Sequence, residues 1–377
     1  MEQHELQEYR AKSINLVAVL TRLVRTPSGR PNCRMAHANL AGLLRHLQRR
    51  RFCGGSFPHL IETPPKCSIR AAIESRDHRD IPHLLLASSS NPNPNPFSYL
   101  SLLPPTLAAA TVADLLHSFA ALRPRSLPYP AYAALLSFTL PNPIPSPAPS
   151  AVLFPAALAV LQSALRSGRP PPRETRHSLP LNWLALRRRC SVLAIISSMR
   201  PLGFRPTDLN TLNYLISSLC AAGETDEAAA VLGGMPTAGI DPDSGSYCEV
   251  IEAIDGDAAE ELLVEMVVGR GMLPRQGTVA RVAAAMRAQG DARRGAELLR
   301  LLERAGCAVG FEAYEVVAEG CLKNGEVVAA ARVLAEMVGR GFVPSIGVRL
   351  GVVEALAAIG QGELAVDVRR RLAVIRS

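Results

Sequence analysis

The chain has 377 residues and carries 41 Lys and Arg against 33 Asp and Glu, a net charge of +8, with hydrophobic residues at 48%. That apolar share supports a sizeable core, and eight cysteines scattered without a C-x-x-C pair read as core thiols of a reducing compartment, not as a disulfide framework. The longest apolar run, Ala151 to Leu161, is broken by Pro155 and falls short of the roughly 20 residues a bilayer-spanning helix needs, so membrane insertion is not expected.

From Tyr9 to Ile61 there are ten Lys and Arg and no Asp or Glu. Within that stretch LAGLLRHLQRRRF (40–52) sets Leu40, Leu43, Leu44 and Leu47 opposite Arg45, Arg49, Arg50 and Arg51. An acid-free, arginine-rich amphipathic segment reads as an organelle presequence, assigned to 1–61 and set aside from the fold. A basic arm that binds nucleic acid is the alternative reading. Glu2, Glu5 and Glu8 are unusual ahead of such a signal, and Met35 offers a second start. Arginine richness favours mitochondria, with chloroplasts the alternative.

Residues 58 to 180 hold 22 of the chain's 30 prolines and cannot be one continuous helix. Residues 62–128 read as proline-rich linker in which VADLLHSFAAL (112–122) could be an early, degenerate helical unit. Residues 129–208 read as degenerate units: AYAALLSFTL (131–140), the insertion PNPIPSPAPS, and a stretch whose first helix is unclear around Trp183 but which ends in MRPLGFRP.

Beyond residue 200 the order sharpens. Gly203, Gly239, Gly271, Gly306 and Gly341 form one comb, and Gly223, Gly256, Gly290, Gly325 and Gly360 another, both with a period near 35. Two turn signals per period mark a unit of two elements. Between the combs the stripes are helical: Ala228/Leu232/Met235, Ala259/Leu263/Met266, Gly295/Leu299/Leu302 and Ala330/Leu334/Met337 stand at i, i+4, i+7, and Leu212/Leu215/Ile216/Leu219 with its counterparts marks the partner helix. Units of this size cannot bury a face alone, so they must stack. The expected fold is all-α: an α-solenoid of helix-turn-helix repeats over 209–377, divided at 209–243, 244–275, 276–310, 311–345 and 346–377, preceded by a largely disordered N-terminal segment.

LNTLNYLISSLCAAGETDEAAAVLGGMPTAGIDPD (209–243) and FEAYEVVAEGCLKNGEVVAAARVLAEMVGRGFVPS (311–345) resemble the 35-residue consensus of the plant organellar pentatricopeptide repeat family, pure-repeat type. The resemblance implies single-stranded RNA binding, one base per repeat, read by two or three side chains. Carried over by position, the readers are the fifth and last residues of each unit: Asn213 with Asp243, Cys248 with Arg275, Ala280 with Gly310, Glu315 with Ser345, and the unpaired Leu350. Only the first pair looks like a family reading pair, the uracil-preferring one. The second position, usually an apolar wedge against the base, is Asn210, Gly245, Gly277, Glu312 and Gly347, and only Lys323 supplies the basic residue near the mid-unit turn that meets phosphate.

The array itself is acidic: residues 209–377 hold 16 Lys and Arg against 23 Asp and Glu. Phosphate binding draws on Lys and Arg, so modest RNA affinity is expected. No histidine follows residue 177, and the array has no C-x-x-C and no phosphate-cradling G-x-x-x-x-G-K-[ST], so no catalytic residue, metal ligand or cofactor is assigned. Glu260, Glu261 and Glu265, the densest acidic cluster, read as a solvated helix face. The expected function is sequence-tolerant or weakly specific RNA binding by a monomer in organellar RNA processing, stability, splicing or translation. The alternative is a protein-interaction scaffold in an organellar ribosome or RNA-processing complex.

Overall fold

Helical stripes punctuated by left-handed glycines set the architecture, which the computed structural model describes for residues 64–87, 95–141, 147–205 and 208–374. The presequence assigned to 1–61, and its basic-arm alternative, lie outside the described residues. Every regular element among the described residues is helical. They fall into two compact units that divide between Asp241 and Pro242.

The first unit contains α1 (Pro64–Glu74), α2 (Ile81–Ala87), α3 (Pro105–Ala120), α4 (Tyr129–Thr139), α5 (Pro147–Arg166) and α6 (Arg173–Arg187). The short α7 (Val192–Ile196), continued by a 3₁₀ turn over Ser197–Leu202, then leads to α8 (Leu209–Ala221) and α9 (Thr225–Gly234). Alternate helices make two rows. A front row packs α2 on α4, α4 on α6 and α6 on α8; a back row packs α3 on α5, α5 on the Ser197–Leu202 turn, and α7 on α9.

Helix α3 therefore occupies the stretch whose composition suggests linker. Its prolines are compatible with this because Pro104 is the N-cap and Pro105 the first helical residue, where no amide donor is needed. Pro155 and Pro180 sit inside α5 and α6. Tertiary burial outweighs the lost hydrogen bond there: Phe154, Ala156, Ala157, Leu161 and Trp183 are all fully buried. Trp183 lies at the core of α6, its ring 6.2 Å from that of Phe154, and its Nε1 donates to Glu227 Oε2 at 3.0 Å.

The second unit comprises α10 (Ser244–Ala253), α11 (Asp257–Val264), α12 (Gln276–Gln289), α13 (Ala292–Arg304), α14 (Phe311–Lys323), α15 (Val327–Gly339), α16 (Ile346–Ala358) and α17 (Gly362–Val374). Here α10, α12, α14 and α16 pack in succession as the front row, α13, α15 and α17 as the back row, and each front helix also packs on its own partner. This sequence-ordered layering is that of an α-solenoid. Helix α11 passes into a π turn over Glu265–Gly269.

All ten comb glycines have φ between 66° and 84°. Without Cβ, glycine adopts this region at no steric cost, which ends each helix sharply. Gly168 (φ 80°) extends the unit-closing comb one period upstream. The back-row stripe is core: Ala228, Met235, Ala259, Met266, Leu302, Ala330 and Met337 are buried. At Gly320 a Cβ would stand 2.7 Å from Ala292 Cβ and 2.9 Å from Arg287 Cγ, so α14 and α12–α13 approach closely there.

Candidate nucleic-acid interface

A unit's last residue is the N-cap of the next front helix. Asp243 caps α10: its Oδ1 accepts from Ser246 N at 2.7 Å and Ser246 Oγ at 2.9 Å, while Ser246 Oγ accepts from Asp243 N at 3.2 Å, a closed capping box. Ser345 caps α16 by accepting from Val348 N at 3.3 Å. Arg275 and Gly310 hold the same place on α12 and α14 without a side-chain cap. The second positions, Asn210, Gly245, Gly277, Glu312 and Gly347, are all exposed.

The fifth positions differ among themselves. Asn213, on α8, is half-buried. Cys248 is fully buried. The guanidinium of Arg275 reaches Glu252 at 3.3 Å and Glu249 at 3.5 Å. Ala280 is half-buried, and Gly310 is buried where a Cβ would meet Gln276 Oε1 at 3.2 Å. Glu315 and Ser345 are brought together, Ser345 N donating to Glu315 Oε1 at 3.1 Å. Leu350 is 56% exposed, and Lys323 is exposed at the end of α14.

The acidic cluster corrects an expectation. Glu260 and Glu265 are buried, and only Glu261 faces solvent. Arg294, one repeat further along, reaches Glu260 at 2.6 Å and Asp257 at 2.8 Å. Burial pushes the Glu260 carboxyl above its usual range, against the opposing effect of Arg294. Tyr247 donates to Glu265 Oε1 at 3.1 Å, and Arg270 lies over the Tyr247 ring, 5.9 Å from its centre. The partners sit in other elements, and no local pattern around residues 260–265 reveals them. Similar rungs join other repeats: Arg287–Glu319 at 2.5 Å, Arg300–Glu336 at 2.7 Å and Arg340–Glu303 at 2.9 Å. Part of the array's negative charge thus ties one repeat to the next. Among the described residues no group of three His, Cys, Asp or Glu could hold a metal ion, and no helix is long and apolar enough to cross a membrane.

Sequence reasoning passed over a group in the first unit. Tyr129 opens α4, its hydroxyl donates to Pro170 O at 2.8 Å, and the Arg169 guanidinium sits 5.6 Å from its ring centre. Arg176 on α6 donates to Ser217 Oγ on α8 at 3.2 Å. Tyr214, on α8, lies within electrostatic range of both Arg176 and Tyr129. The signal for it is the run RSGRPPPRETRH (166–177), four arginines with one acid.

A family model described as "PPR repeat" matches residues 211–240 and 312–342. A pentatricopeptide repeat-containing protein of Arabidopsis thaliana is 38% identical over 316 residues, which is 82% of this chain and 90% of that protein. The chain belongs to the pentatricopeptide repeat family. A solved structure, that of a maize pentatricopeptide repeat protein, is similar at 18% identity and a TM-score of 0.34, over 97% of this chain and 49% of that one, so the chain spans about half its length. Pentatricopeptide repeat proteins are in general RNA-binding helical repeat proteins of organellar RNA processing, on a scaffold that is typically not an enzyme.

Proposed function

We propose that this pentatricopeptide repeat protein binds single-stranded RNA with tolerant or weak sequence preference, as a monomeric, non-enzymatic adaptor in organellar RNA processing, stability, splicing or translation. The carrying observation is that the second positions of the front helices in both units are exposed, while of the four expected reading pairs only Asn213 with Asp243 combines an amide with a carboxylate. Cys248, Ala280 and Gly310 offer no exposed polar group to a base, and the Glu315 carboxylate is engaged by the Ser345 amide. A protein with this surface would hold RNA without reading most of it. The arginine richness of segment 9–61 favours mitochondria, with chloroplasts the alternative destination.

The test is filter binding to uridine-rich and mixed single strands across a salt series. Affinity should fall as salt rises, and Asn213→Ala should weaken a uridine-containing site selectively. A uniform loss or no loss would remove Asn213 as a reader. A second reading, a scaffold gripping a protein of an organellar ribosome or processing complex, is favoured by one observation: residues 209–377 are net acidic, at 16 Lys and Arg against 23 Asp and Glu. Failure to bind any single strand at low salt would favour it.

A further inference from the structure

The net-acidic repeats are the less favourable place for phosphate, and the arginines lie elsewhere. Between Arg166 and Arg189 there are seven arginines and one acid, Glu174. Arg169, Arg173 and Arg176 are exposed. Arg173 makes no ion pair or hydrogen bond among the described residues, so its charge is uncommitted. Arg166 is different, held at 2.9 Å by Asp208. Two tyrosines flank the exposed trio on neighbouring front-row helices: Tyr129, half-exposed at the start of α4 with Arg169 over its ring, and Tyr214, half-exposed on α8.

We propose that Tyr129, Arg169, Arg173, Arg176 and Tyr214 form a stacking-and-phosphate surface through which the chain holds single-stranded RNA, independently of base identity. This rests on the reading of the chain as an RNA binder and moves the main source of affinity into the first unit, chiefly its degenerate repeats, on residues outside the fifth and last positions. Two chemical needs are met together. Aromatic faces accept any base, and guanidinium groups neutralise phosphates and release counterions. A duplex would gain nothing from the tyrosines, because its bases are already stacked. An acidic peptide would use the arginines but not the rings, so the tyrosines discriminate between the two partners.

The experiment measures binding of the full chain to mixed-sequence single-stranded RNA, with a polyglutamate peptide as competitor. Variants are Arg173→Glu, the triple Arg169→Ala/Arg176→Ala/Arg173→Ala, Tyr129→Ala/Tyr214→Ala, and Tyr129→Phe/Tyr214→Phe. The triple variant should lose at least tenfold at moderate salt and flatten the log–log salt slope by about 2, given roughly 0.7 per phosphate on single strands. Arg173→Glu, at a side chain with no structural partner, should weaken binding without changing thermal unfolding. The double alanine variant should lose at least fivefold, while the double phenylalanine variant retains affinity, since the ring supplies the contact. Wild-type binding that survives the triple substitution unchanged overturns the surface but leaves RNA binding in place. Competition by polyglutamate with no effect of removing the rings overturns it in favour of an acidic protein partner. Absence of any RNA binding by the wild type overturns both this surface and the function proposed above.

Discussion

Glu227 shows how much a single side chain holds in this fold. Its Oε2 accepts from Trp183 Nε1 at 3.0 Å and from Arg187 Nε at 2.7 Å, and the Arg187 side chain is only 11% exposed. Glu227→Ala would leave a buried indole donor without an acceptor and a near-buried guanidinium without a counter-ion. A loss of about 2–3 kcal/mol is expected, read as a lower urea midpoint with unchanged m-value. Two glycines make a second test. Gly290→Ala forces alanine to φ 84° in open space and should cost about 1–2 kcal/mol from the backbone alone. Gly320→Ala has no such backbone demand but drives a Cβ into Ala292 and Arg287, costing about 1–3 kcal/mol through overpacking. The combs show the first kind of glycine plainly in the sequence. The second kind is invisible there, because what excludes a Cβ is another helix.

His78 supplies a pH signature. Its Nδ1 lies 3.0 Å from Ser118 Oγ on α3, and burial lowers its pKa below 6.5, opposed by Asp114 and Asp77 and assisted by Arg76. The unfolded chain therefore binds the proton more readily than the folded one. The neutral ring's contribution is complete above the unfolded value and is lost as pH falls from about 6.5 through the lowered folded value. Thermal unfolding should show reduced stability at pH 5 relative to pH 7.5. His78→Gln should shrink that difference, and an unchanged difference would assign it to other groups.

At the scale of the helix, caps and stripes decide. Asp208 Oδ1 accepts from Thr211 N at 3.1 Å and from Thr211 Oγ1 at 2.6 Å, closing the first turn of α8, and Asp208 also holds Arg166. Asp208→Ala should cost about 1 kcal/mol, and Asp208→Asn less, since the amide oxygen still caps. Helices α8 to α15 were legible because i, i+4, i+7 stripes and glycine stops agree in the four units from 209 to 345. Helices α3 to α6 were obscured by proline content, since composition does not distinguish a proline at a helix start from one that breaks it. Pro105 stands where a helix welcomes it, and Pro155 and Pro180 are carried by fully buried neighbours. Gly168, followed by Arg169-Pro170, is a helix stop that stands one period before Gly203.

Within each unit, stability is a sum over layers, each layer contributing its own core and its contact with the next. Helix α14 is enclosed by α12, α13, α15 and α16, whereas α17 touches α15 and α16 and leaves Val366 55% exposed. Amide hydrogen exchange should accordingly be slower in α14 than in α17 by orders of magnitude, and equal protection would mean the unit opens only as a whole. The candidate site was less legible than the fold for a related reason. Reader positions can be counted along a repeat, but whether a carboxylate is available depends on partners distant in sequence, at the far end of the same repeat for Glu315 with Ser345 and in the next repeat for Glu260 with Arg294.

Asp208, Asp243 and Ser345 close repeats and start helices with the same atoms. Anyone retargeting this chain by exchanging its unit-terminal residues would be editing its folding signals at once. Arg275 and Gly310 have no cap to lose, but exchange there meets other contacts: Arg275 would give up its ion pairs with Glu249 and Glu252, and a Cβ at Gly310 would press on Gln276 Oε1 at 3.2 Å. Under the proposed RNA-binding reading, drift in target preference would meet the same coupling between ligand and fold.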